Sequence, residues 1–85
     1  MQTFCATFGS GWGYANGYVE IIAEDRHAAT GHMVKEHGER WAAMYTMAEF
    51  ASTIKRYRLH KLATVQQRPG SGELFFDIVK EEHRG

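Results

Sequence analysis

Hydrophobic and polar positions alternate along Thr3-Phe4-Cys5-Ala6-Thr7-Phe8, placing Phe4, Ala6 and Phe8 on one face of an extended chain. With its β-branched and aromatic content, this run predicts a first strand. The segment Gly9 to Gly17 holds four glycines in nine residues, which favours turns and predicts a loop. Strand composition resumes at Tyr18-Val19-Glu20-Ile21-Ile22-Ala23. The simplest arrangement pairs these two runs as an antiparallel hairpin.

The period then changes. Asp25 is a cap for a helix over about residues 26–37, with Ala28, Ala29, His32 and Met33 toward the apolar side and Gly38 as the C-terminal stop. Gly31 weakens the middle of that helix by about 1 kcal/mol relative to alanine, and would permit close approach to a sheet. Arg40 to Tyr45 reads as a third strand whose apolar centre suggests an inner position. Thr46-Met47-Ala48-Glu49 matches a capping box, and Phe50, Ile54 and Tyr57 recur at the spacing of one helical face. An extended pattern returns from Leu59 to Gln66 and again from Gly72 to Val79, with turn residues at Arg68-Pro69-Gly70-Ser71-Gly72 between them. A closing hairpin follows, and Lys80 to Gly85 reads as a frayed polar tail. The expected fold is a single α+β domain over residues 1–85, a small and mainly antiparallel sheet in the order ββαβαββ, with both helices packed on one face.

Composition adds limits. At 44% hydrophobic and 24% charged residues, the chain is too apolar for disorder, and its apolar stretches fall far short of the roughly 20 residues that span a bilayer. The N-terminal Met1-Gln2-Thr3-Phe4 lacks the basic start and apolar core of a secretory leader, so a cytoplasmic protein is expected. A single cysteine, Cys5, excludes an intramolecular disulfide and fits a reducing compartment. Its alternating surroundings suggest a packed thiol.

Net charge is zero but unevenly spread: residues 55–72 carry five Lys/Arg and no acid, whereas residues 1–54 carry three against six. The basic segment holds Lys55, Arg56, Arg58 and Lys61 around Tyr57, a pattern that could take phosphates and stack a base. Five charges on a neutral protein make a weak phosphate field, and cations also collect at a helix C-terminus without any ligand.

Gly9-Ser10-Gly11 begins like a dinucleotide fingerprint, but a strand follows where a helix N-terminus would be needed to hold phosphate. The glycine-rich loop instead carries Trp12 and Tyr14, two large aromatics that either fold back onto the sheet or are offered to a partner. His27, His32 and His37 are spaced by five, so successive ones diverge by about 140° around a helix and do not converge on one ion. No metal, cofactor or catalytic grouping stands out among the ten scattered acids.

Thr7-Phe8-Gly9, Gly17-Tyr18-Val19-Glu20, Ala23-Glu24-Asp25 and Arg40-Trp41-Ala42-Ala43-Met44-Tyr45-Thr46 together resemble small accessory proteins of bacteriophages and prophages. The resemblance spans about residues 3–63, and the closing hairpin departs from the family's shorter pattern. It implies a protein of the bacterial cytoplasm that acts by binding: an inhibitor or modulator of a host protein, in the manner of anti-CRISPR and other anti-defence proteins. On this reading Trp12, Tyr14, Lys55, Arg56, Tyr57, Arg58 and Lys61 form the partner surface. A nucleic-acid-binding accessory protein using segment 55–68, with Arg68 as a further phosphate contact, is the rival, and homodimer pairing through the second or last strand is a further expectation.

Overall fold

Strands β1 (Gln2–Phe8) and β2 (Gly17–Ala23), helix α1 (Arg26–His37), strand β3 (Trp41–Thr46), helix α2 (Met47–Tyr57) and strands β4 (His60–Gln67) and β5 (Phe76–Glu81) follow one another along the chain. The structure is a computed structural model and describes residues 1–8, 17–57, 59–68 and 75–81. The ββαβαββ order of the sequence reading is the order found. β5 continues through Glu81, into the stretch expected to be tail.

The strands form one five-stranded sheet in the order β3-β1-β2-β4-β5. β1 pairs antiparallel with β2 and with β3, and β4 with β5, as two hairpins and an edge require. β2 and β4 are parallel, so the sheet is mixed rather than purely antiparallel. β2's first residue lies close under a β4 side chain. A Cβ built on Gly17 would lie 2.6 Å from the Cγ and a Cδ of Leu62, so any other residue there would have to displace that side chain.

Two expectations are corrected here. β3 is an edge strand, not an inner one. Its apolar residues reflect partial cover by both helices: Trp41 and Met44 pack toward the α1 side, Tyr45 toward the α2 side. The helices themselves lie on opposite faces. Ala28, Ala29 and Met33 of α1 share a buried cluster with Phe4, Ala6, Phe8, Val19, Ile21 and Ala23. Phe50 of α2 instead packs with Cys5 and Tyr18, which point through the other side of the same two strands. Crossover geometry supplies the reason. The β2–α1–β3 connection steps over β1 in one direction, and β3–α2–β4 returns over β1 and β2 in the other. Two crossovers of one hand that run in opposite directions pass over opposite faces.

Local capping follows the sequence. Asp25 Oδ1 accepts from the Ala28 amide at 2.8 Å, and Gly38, with φ 59°, adopts the left-handed region as its amide donates to the Val34 carbonyl. At α2 the Glu49 amide donates to Thr46 Oγ1 while the Thr46 amide donates to Glu49 Oε1, both halves of the capping box. Arg26 ties the two helix starts together, donating to Glu49 Oε1 and to the carbonyl of Met44 on the β3 edge. Gly31 meets nothing within 4 Å of a Cβ position, so it faces open space rather than serving a close approach. No helix among the described residues is long and apolar enough to cross a membrane.

Candidate functional site

Both helices rest chiefly on the β3-β1-β2 side of the sheet, leaving the β4–β5 end open. The consequence is visible on β5, where Phe75, just before the strand, is 49% exposed, Ile78 65% and Val79 58%. Ile78 and Val79 are adjacent, so in a regular strand one would be turned inward. A register shift leaves Val79 without a partner position on β4, since Thr64 faces Lys80 and Val65 faces Ile78. An apolar edge thus presents side chains that remain more than half exposed.

On the α1 face, the open end becomes a cleft of about 350 Å³. Val19, Leu62, Ala63, Val65, Phe76 and Ile78 make its sheet side; Phe8, His32, Glu36 and His37 close it from β1 and α1. Four rings are arranged in two pairs at its margins. The His32 ring is tilted 33° over Phe76 at 4.4 Å, and His37 meets Phe8 edge to face at 5.0 Å. The Phe75 ring, just before β5, lies with its centroid 5.8 Å from Lys35 Nζ and 5.6 Å from Arg68 Cζ.

Burial lowers the proton affinity of both imidazoles below the ordinary histidine value. At His32, Glu36 opposes that shift while His37 and Lys35 add to it; at His37, Glu36 opposes and Arg40 adds. Both rings are therefore neutral at pH 7, each with one N–H donor and one acceptor. A depressed folded-state pKa means that below about pH 6.5 the unfolded chain binds more protons than the folded one, so stability falls as pH drops through that value. NMR titration of the ring protons should place the midpoints of His32 and His37 below 6.5. Midpoints at or above 6.5 would show that the cleft does not desolvate them.

The structure describes only part of the partner surface expected from sequence. Trp12, Tyr14 and Arg58 lie outside the described residues. Lys55 and Arg56 are exposed in the last turn of α2, and Tyr57 ends that helix, its side chain outside the described parts. Lys61 is on β4, its Nζ 3.7 Å from Glu20 Oε2. Arg68 forms a two-point contact with Asp77, Nη2 to Oδ1 at 2.6 Å and Nε to Oδ2 at 3.2 Å. Two of the five cations of segment 55–72 thus already face acids, which reduces the field available to phosphate. Cys5 is fully buried, and burial above all, with Glu20 adding and Lys61 opposing, pushes its thiol up to about 12.

Sequence reasoning missed the cleft. The five-residue spacing was weighed only against convergence on one ion, and His32 and His37 bracket a space instead. The legible signal was His32 and Glu36 at i, i+4, which share a helix face.

Fold and site together define a three-layer α+β domain whose mixed sheet is left open at one end, with an apolar cleft and an apolar edge there. No protein-family model, curated protein or solved structure matches the chain.

Proposed function

We propose that this chain is a small binding protein that inhibits or modulates a host protein, docking through the open β4–β5 end of its sheet. The role is the one implied by its resemblance to phage and prophage accessory proteins. The observation that supports it is the pair Ile78 and Val79, two adjacent β5 side chains each more than half exposed. Burying such side chains against a partner is worth about 1.5–3 kcal/mol apiece, enough for a contact built around them. β5 is added to the surface expected from Trp12, Tyr14 and the basic segment, in which Lys55 and Arg56 are exposed cations that a partner acid could approach.

The test is capture from host lysate with the intact chain and with the double variant Ile78→Asp, Val79→Asp. Specific capture by the native chain should fall at least about 30-fold in apparent affinity in the variant, with an unchanged melting temperature. Equal capture by both would remove β5 as the docking edge. Sedimentation at high concentration separates this from self-pairing. Of the two strands considered for a homodimer, β2 is internal and only β5 has a free edge, so a native dimer that the double variant converts to monomer would assign the edge to a second copy.

A further inference from the structure

We propose that the cleft between α1 and the β4–β5 end of the sheet is a binding site for a planar, uncharged aromatic ring system of about indole size. The inference concerns the cleft and does not depend on docking through the β5 edge. Three observations carry it. The cleft's 350 Å³ lies at the small end of the roughly 300–1,000 Å³ typical of ligand sites, which suits one or two fused rings rather than a large cofactor. Its sheet side is apolar, and rings stand at both ends of it, His32 with Phe76 and His37 with Phe8, so a flat ligand would meet ring edges and faces at separations already favoured by these pairs. The two imidazoles are neutral at pH 7 and make no hydrogen bond to another described residue, so each keeps a donor and an acceptor for a polar atom on the rim of a heteroaromatic ring.

The ring should be uncharged. Glu36, exposed on the rim, is the one permanently charged side chain among the described residues that line the cleft, and the floor offers no counter-charge to a buried ion. Lys35 is placed over Phe75 instead. The ring could belong to a free heteroaromatic molecule or to the aromatic side chain of a partner, and the chemistry is the same for both.

Amide NMR titration of the full chain tests the assignment, using indole, cyclohexanol as a non-planar apolar probe, indole-3-acetate and tryptamine as charged probes, and a Gly-Trp-Gly peptide with blocked ends. Indole should give saturable shifts at Val19, Leu62, Ala63 and Val65, with at least tenfold higher affinity than cyclohexanol and at least threefold higher than either charged analogue. Tighter binding of the peptide, with shifts extending to Ile78 and Val79, assigns the ring to a partner's side chain; tighter binding of indole assigns it to a free molecule. Ala63→Leu, which fills the cleft, should abolish the shifts. His32→Ala, on a half-exposed helix position, should weaken indole at least fivefold while the melting temperature holds, and keeps the test valid if the leucine variant does not fold. Absence of saturation at 5 mM indole, equal affinity for cyclohexanol, or charged analogues that bind as tightly as indole would overturn the proposal. Such a result would leave docking through β5 standing, because that reading is decided by the Ile78 and Val79 variant.

Discussion

Phe50→Ala is expected to lower the unfolding free energy by about 3–5 kcal/mol, read from urea denaturation monitored by far-ultraviolet circular dichroism. Phe50 is fully buried, and among the described residues its cluster holds two other buried ones, Cys5 and Tyr18. Its ring stands edge to face with Tyr18 at 4.9 Å and tilted against Tyr45 at 5.3 Å. The partly buried Met47 and Ile54 of α2 pack against the same cluster. Truncation would remove the transfer free energy of an aromatic side chain and leave a cavity that a sheet surface cannot close by relaxing. Against a total of about 5–15 kcal/mol for a domain, the loss reaches the lower end of that range. Phe75→Ala is the control: the same residue type, half exposed beside β5, should change stability by less than about 0.5 kcal/mol. A cost below about 1 kcal/mol at Phe50 would show that α2 is not held to the sheet by this contact.

Cys5 should be alkylated about a thousandfold more slowly at pH 8 in the native protein than in the urea-unfolded chain. The thiolate is the reacting species, and raising the thiol from 9.0 to about 12 lowers its thiolate fraction by roughly three powers of ten. As the chain's sole cysteine, it gives an unambiguous iodoacetamide readout. The same shift links to stability. Between pH 9 and 12 the folded state holds the proton that the unfolded state has lost, so stability falls with rising pH across that window, by about 4 kcal/mol in all for three pKa units. Cys5→Ala should remove that slope whatever it does to stability at neutral pH. A native alkylation rate within tenfold of the unfolded rate would mean that the β1 centre opens far more readily than its burial implies.

The same residues show how far local pattern reaches. Cys5 was legible as a packed thiol because Thr3 to Phe8 alternates, and the caps at Asp25, Gly38 and Thr46 were legible because each is satisfied within three or four residues of itself. Phe50 was legible as the buried position of α2 from its spacing to Ile54. Which face of the sheet it would be buried against was not. The expectation of both helices on one face assumed a sheet covered on a single side, and β1 contradicts it by burying Phe4, Ala6 and Phe8 on one face and Cys5 on the other.

Local composition by itself determined the seven elements, their order, their caps and the alternation within β1, since these depend on torsional preference and hydrogen bonds that close within a few residues. The parallel contact of β2 with β4 and the edge position of β3 join residues some 40 positions apart, and the open β4–β5 end follows from where the helices lie, so only the tertiary structure decided them. The functional surface belongs to the second group. His32 and His37 are unremarkable on a helical wheel, and Ile78 and Val79 look like any buried strand pair. They become a cleft and an exposed edge because two return crossovers place both helices over one half of the sheet and neither helix over the other.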